Sequence, residues 1–250
     1  MKLPPLPHRW TQSPRAAAAL QRDLAVRLVQ QVPNRPIRLV AGLDAAFSAE
    51  AGLAFGAVVL WDMERRQVVE ERTAAAPLRF PYVPGLLSFR EAPVLLRALR
   101  KLRLTPDALM CDGHGVAHPR RFGLACHLGL LCQFPSFGVA KSILVGEPDP
   151  LPPEQGASAP IRDRGEVVGL ALRTRGHVRP VFLSVGHLLD LPTAAALALA
   201  CVVGRRVPEP TRLADRLVAR AKADYLAEGG GVGGCAGGSG GRTKAMSKRR

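Results

Sequence analysis

The period of the apolar positions changes several times along the chain. Over 11–32, TQSPRAAAALQRDLAVRLVQQV, Leu20, Leu24, Leu28 and Val29 keep a helical stripe, Ser13 suits an N-cap with Pro14 at the first helical position, and Pro33 and Pro36 close the segment. Three strand-like runs follow at 37–47, 53–62 and 67–77. The short links around Ala49–Gly52 and Glu64–Arg66 predict hairpins, hence an antiparallel meander. A loop, LRFPYVPG, leads to a helix over roughly 90–103, then a short buried strand (107–113), a helix (120–132) and a strand (135–142). The Pro-rich stretch 146–160 reads as loop, 167–174 and 181–189 as strands, and 193–204 and 211–226 as helices. This order predicts an α/β fold, a mixed sheet flanked by helices, in a single domain over 11–228. Residues 1–10 are expected to be a flexible N-terminus, and 229–250 a disordered Gly-rich basic tail.

Composition narrows the function. Apolar residues make up 47% of the 250, enough for a sizeable core, yet no run reaches the ~20 apolar residues of a membrane span. The N-terminus MKLPPLPHRW has no hydrophobic signal core, so a cytoplasmic protein is expected, with no membrane partner. Five cysteines (111, 126, 132, 201 and 235), odd in number and without CxxC spacing, argue against a disulfide framework or a zinc finger. The net charge is +15, and the tail accounts for only five basic residues, so the rest is basic in its own right. Such a chain favours a polyanion, nucleic acid first.

Within this basic chain, two carboxylates follow apolar runs. Asp44 ends LVAGL and Asp112 ends ALMC. A carboxylate there is costly unless paired, hydrogen-bonded or metal-bound, and two on neighbouring strands could share a hard cation such as Mg²⁺. Each alone also suits a turn-initiating Asp. Glu91 is a third candidate. Ser88-Phe-Arg-Glu91 matches a capping box, but Pro93 argues for a helix beginning near Ala92, with Glu91 free at its mouth. Asp215 in EPTRLADR is a fourth, with an exposed pairing to Arg212 or another nearby Arg as its alternative.

Between these acids lies CDGHGVAHPRRFGLACHLG. Gly113, Gly115, Gly123 and Gly129 remove side chains where backbone could approach a ligand. His114 and His118, four apart, need not share a face because Gly115 makes a helix unfavourable. His127 fits a structural role, and His187 receives none. In FPYVPG, Pro81 and Pro84 flank Tyr82; a stiff loop of this kind can present a wedge to a base stack, or bury the Tyr beneath itself.

Taken in order, GLDAAF, PYVPGLLSFRE, CDGHGVAHPRRFGLACHLG, GVAKS, SVGH and PEPTRLAD resemble the endonuclease V (deoxyinosine 3′ endonuclease) family, over roughly residues 10–226. The resemblance implies a ribonuclease H-like fold and makes 11–228 the catalytic domain. It implies that Asp44 and Asp112 bind metal, that Glu91 completes the catalytic centre with Asp215 as a fourth acid, and that Lys141 and His118 are basic residues beside the cleavage site. Tyr82 matches the wedge of the loop Pro81–Val83–Pro84; Gly85, Leu87, Gly113 and Gly123 match the surroundings of the base pocket. The implied reaction is Mg²⁺-dependent hydrolysis, with Mn²⁺ substituting, of the second phosphodiester bond 3′ to deoxyinosine in DNA, by a monomer. Inosine-containing RNA stays open as a second substrate. A structure-specific nuclease of the same fold would need the acids but not the wedge or glycines. A non-enzymatic binder would explain the charge but not carboxylates within a basic face.

Overall fold

The computed structural model describes residues 1–228 apart from 12, 32 and 34; the expected tail over 229–250 lies outside the described residues. The meander forms as expected. β1 (Leu39–Ser48), β2 (Leu53–Asp62) and β3 (Gln67–Pro77) pair antiparallel through the two short links. β4 (Ala108–Cys111) joins parallel to β1, and β5 (Ser136–Ala140) parallel to β4. Beyond β5 the sheet turns antiparallel again through β9 (Val181–His187), β8 (Glu166–Leu172), β7 (Ser158–Asp163) and β6 (Glu147–Pro148), giving the order 3-2-1-4-5-9-8-7-6. This is the mixed sheet of a ribonuclease H-like fold, with helices on both faces.

On one face, α2 (Leu87–Arg100) and α3 (Leu124–Cys132) bury Leu95, Leu99 and Leu128 against Ala41, Leu43 and Leu109. Against the other, α5 (Glu209–Ala227) packs Ala214 and Leu217 on Phe55, Ala57 and Val59. Its approach depends on Gly42, where a Cβ would lie 2.1 Å from the Pro210 backbone. α4 (Leu191–Ala200) packs by β9, and α1 (Pro14–Ala25), capped by Ser13 as expected, buries Ala17, Gln21 and Leu24. Cys111, Cys126, Cys132 and Cys201 are buried free thiols. No helix among the described residues is long and apolar enough to cross a membrane.

Several expectations are corrected. The first helix stops at Ala25 rather than near 32, because the chain is captured by the end of β9: Leu188 N donates to Val29 O at 2.6 Å, and Val29 N to His187 Nδ1 at 3.2 Å. α2 begins at Leu87, not near Ala92, and carries Pro93 inside it; Pro93 leaves the Phe89 carbonyl without its helical donor. Residues 120–123 precede α3 without being helical. The stretch 146–160 contains β6 and the start of β7, where Pro148 and Pro160 sit in the outer two strands of the sheet, and an Arg164-Gly165 turn with positive φ at both residues makes the β7–β8 hairpin. Residues 1–10, expected to be flexible, place Leu3, Leu6 and Trp10 against the core, and His8 Nε2 lies 2.9 Å from His127 Nε2.

Candidate active site

β1 pairs with β4 only as far as Leu43 opposite Cys111, and Asp112 N donates to Leu43 O at 3.0 Å. The next residues, Asp44 and Asp112, therefore stand side by side where the parallel pairing ends. Asp44 does not close its strand, contrary to expectation; it lies mid-strand, because β1 runs on to Ser48 against β2. Glu91 reaches the pair from the second turn of α2 and is buried. It neither caps the helix nor stands at its mouth: Ser88, the other half of the apparent capping box, has its Oγ 3.1 Å from His127 Nδ1. Asp215, on α5, is exposed. Its alternative partner, Arg212, is instead held by Glu209 at 2.6 Å. Lys141, just past β5, donates from Nζ to Asp112 Oδ2 at 2.6 Å and lies 3.8 Å from Asp215 Oδ2.

The electrostatics follow from crowding. Burial, then the charge of Asp112, raise Asp44 to about 7. Burial, then the charges of Asp44 and Asp112, push Glu91 well above the usual carboxylate range. Burial works against the Lys141 ammonium, yet its hydrogen bond to Asp112 and the charges around it raise its pKa. Among the described residues no three His, Cys, Asp or Glu side chains form a closed metal cage. The donor set is an open group of carboxylate oxygens whose repulsion Lys141 relieves only in part. That chemistry fits a hard divalent cation that keeps waters and takes further oxygens from a phosphate, held by Asp44 and Asp112.

Next to the carboxylates is a cavity of about 340 Å³. The structure brings together on its wall Tyr82, Val83, Pro84, Gly85 and Leu87 from the loop and α2, and Gly113, His118 and Gly123 from the Gly- and His-rich stretch. Glu91 lines it too. Pro81 does not. Tyr82 is 72% exposed, so it is not packed beneath its own loop. The loop is tied down instead by Phe80, which is buried and stacks on Phe89 with centroids 5.5 Å apart.

Three of the four glycines are required by the protein's own packing, and one of these, Gly123, lines the cavity as well. A Cβ at Gly115 would lie 2.0 Å from Val185 O, at Gly123 2.3 Å from His114 O, and at Gly129 1.9 Å from Ser136 Oγ. Gly113 differs: its φ of +154° is one that L side chains rarely adopt, and it lines the cavity. The histidines separate as well. His114 Nε2 lies 3.0 Å from Ser142 O, whereas His118 is engaged by Arg120 and Gly85. Burial, then the Arg120 charge, hold His118 down at about 4, so it is a neutral rather than a charged neighbour of the site. Sequence reasoning missed Gln21 and Arg120. Gln21 did leave a signal, a polar residue on the buried stripe of α1 between Ala17 and Leu24. Arg120 left none that distinguishes it from Arg121, which pairs with Asp163 and Glu166 on the surface.

The chain as a whole is similar to known proteins. The family model described as Endonuclease V matches residues 21–216. An endonuclease V of Roseiflexus castenholzii is 49% identical over 219 residues, 88% of this chain and 98% of that protein. One of Nocardia farcinica is 52% identical over 202 residues, 80% and 89%. The crystal structure of the Streptomyces avermitilis endonuclease V superposes with a TM-score of 0.84 at 43% identity, covering 88% of this chain and 98% of that one. The Ciona intestinalis endonuclease V, in complex with a 24mer DNA containing an inosine followed by a ribo-adenosine, superposes with a TM-score of 0.75 at 26% identity, covering 84% and 98%. With the family model matching most of its length and relatives about half identical across nearly all of theirs, the chain belongs to the endonuclease V family of DNA repair nucleases.

Proposed function

We propose that this chain recognises inosine in a DNA strand and hydrolyses the second phosphodiester bond on its 3′ side, leaving 3′-hydroxyl and 5′-phosphate ends, with Mg²⁺ as the working ion and Mn²⁺ able to replace it. The observation that carries this reading is the double position of Glu91, which lines the cavity and is electrostatically coupled to Asp44 and Asp112. A base held in the cavity thus presents its own strand to the carboxylates. Hypoxanthine offers a C6 carbonyl and an N1–H and lacks the 2-amino group of guanine. To be read by such a cavity it must leave the stack, and the exposed ring of Tyr82 is placed to fill the gap.

Endonuclease V nucleases are metal-dependent. When bound, a divalent cation supplies an activated water and stabilises the leaving oxygen. The protein's own part is to gather charge. Burial and mutual repulsion, which raise Asp44 and Glu91, favour a cation at the carboxylates, and Lys141 holds the Asp112 carboxylate in place by donating from Nζ to Oδ2. The ribo-adenosine beside the inosine in the Ciona complex supports including RNA among the substrates to be tested. The test is an incubation of purified protein and Mg²⁺ with end-labelled DNA and RNA oligonucleotides, single- and double-stranded, with and without one inosine. A single cut two bonds 3′ to inosine is expected; cutting that ignores inosine would favour a structure-specific nuclease.

A further inference from the structure

The carbonyl of Gly85, at the foot of the Tyr82 loop, is the most heavily engaged acceptor of the cavity wall. Arg120 Nη2 donates to it at 2.6 Å, His118 Nε2 at 2.9 Å and Gln21 Nε2 at 3.1 Å. The histidine tautomer follows from its other nitrogen. Arg120 N donates to His118 Nδ1 at 3.1 Å, which leaves the proton on Nε2. Gln21 is fully buried and uses both ends of its amide: Oε1 accepts from Arg120 Nε at 2.5 Å, and Nε2 also donates to Phe122 O at 2.9 Å. The guanidinium fork of Arg120 therefore spans Gln21 and Gly85, a job that depends on its planar geometry as well as its charge. Gly85 has no room for anything else: its φ is +75°, and a Cβ would lie 2.8 Å from Arg120 Nη2.

Across the loop, the Phe80 carbonyl accepts from Arg90 Nη1 at 3.1 Å, and the Phe80 ring is buried. Between these two anchored feet stand Pro81, Tyr82, Val83 and Pro84. Two prolines fix φ, both ends are tied by guanidiniums, and the ring in the middle is exposed. We propose that Gln21 and Arg120 are positioning residues for inosine discrimination, clamping the Gly85 carbonyl so that the Tyr82 arch is already in its wedge shape before DNA arrives. This rests on the reading of Tyr82 under Proposed function. It carries a second consequence. A carbonyl has two lone pairs, so one that already takes three donors cannot also read the N1–H of the base. Gly85 shapes the cavity, and its carbonyl stays out of base recognition. A loop ordered in advance loses less freedom on binding, and that saving is spent where the wedge is needed.

The test is equilibrium binding in Ca²⁺ to duplexes with and without one inosine, and to an inosine-containing single strand, where no stacked partner has to be replaced. Gln21→Ala and Arg120→Ala should lower the inosine-to-undamaged ratio on duplexes by roughly 5- to 30-fold, the effect of losing one or two hydrogen bonds. The loss on single strands should be smaller. Arg120→Lys, which keeps the charge but not the fork, should fall with Arg120→Ala. Should Gln21→Ala fail to fold, the isosteric Gln21→Glu, which keeps the acceptor for Arg120 but loses both donors, takes its place. A wild-type ratio in Arg120→Lys, or an equal loss on duplex and single strand, would overturn the clamp. Failure of the underlying reading looks different, because then the wild type or Tyr82→Ala would show no inosine-dependent change at all. If Tyr82→Ala loses discrimination while Gln21→Ala and Arg120→Lys keep it, the clamp alone is wrong.

Discussion

At the end of β4 the carboxylates of Asp44, Glu91, Asp112 and Asp215 gather with one ammonium, that of Lys141, bonded to Asp112 and near Asp215, and Asp44 and Glu91 are driven upward in pKa by burial and mutual repulsion. Along the neighbouring wall, from Gln21 through Gly85 to Arg120, the polar groups are answered from within the protein, one carbonyl three times over. The first region is left electrostatically unfinished, the second is finished before any ligand comes. A catalytic end that must take up a cation and a phosphate gains from unpaired charge. A recognition end that must hold a shape gains from a satisfied network. Glu91 belongs to both, which is how selection of a base can be tied to cutting of its strand.

The largest effect should come from breaking the unfinished end. Asp44→Ala, Asp112→Ala and Glu91→Ala should each reduce nicking of an inosine duplex by more than about 100-fold, beyond the 10–100-fold typical of groups that only support a metal ligand. Near-wild-type cleavage by either Asp variant would misplace the metal site, and a Glu91 variant that merely melts earlier would make that residue structural. The same crowding predicts the opposite sign for stability. In the presence of a chelator at pH 8, Asp44→Asn should melt higher than wild type, by about 2–4 °C for each kcal/mol of repulsion relieved. A lower melting temperature would mean that the Asp44 charge is compensated.

Tyr82→Ala tests the finished end. Base–aromatic stacking is worth about 1–3 kcal/mol, so the inosine-to-undamaged binding ratio should fall by roughly 5- to 150-fold, more than general DNA affinity falls. An unchanged ratio would reduce Tyr82 to a surface ring.

How far these two regions could be read from the chain differs in the same way. Asp44 and Asp112 were visible as carboxylates after apolar runs, but each alone suited a turn, and only the ordered set of motifs gave them a metal-binding expectation. Glu91 was legible as an acid but misplaced, since Pro93 suggested a helix start, whereas α2 absorbs the proline in its interior. The clamp was not legible, because its partners at 21, 85, 118 and 120 meet only through tertiary packing. Gly115 and Gly129 looked like ligand-facing positions, yet their missing side chains make room for Val185 and Ser136; Gly123 makes room for His114 and lines the cavity too. Local pattern reveals where a side chain is expensive; it does not reveal which distant group it accommodates.

Smaller effects should follow acid. Burial, then the charge of His8, hold His127 down at about 3, against 6.5 when unfolded. Below pH 6.5 the unfolded chain therefore binds the extra proton, and the contribution of this histidine to stability is lost progressively as pH falls toward about 3. The advantage of wild type over His127→Gln in chemical denaturation should shrink across that window, by at most about 1.4 kcal/mol per pH unit. A constant gap would mean that His127 is not held neutral. Smallest of all, removal of residues 229–250, with their five basic residues, should flatten the log–log salt dependence of DNA binding by at most ~0.9 for each phosphate no longer neutralised, and leave the cut position unchanged. Parallel slopes would show that those charges never meet DNA.

The separation of the two regions is tested most directly by one variant and two readouts. Asp112→Ala, assayed in Ca²⁺ for binding and in Mg²⁺ for nicking, should bind inosine duplexes with the selectivity of wild type while cutting them at a vanishing rate. Loss of selectivity together with loss of cutting would show that recognition and chemistry are not held apart, and would contradict the division drawn from the structure.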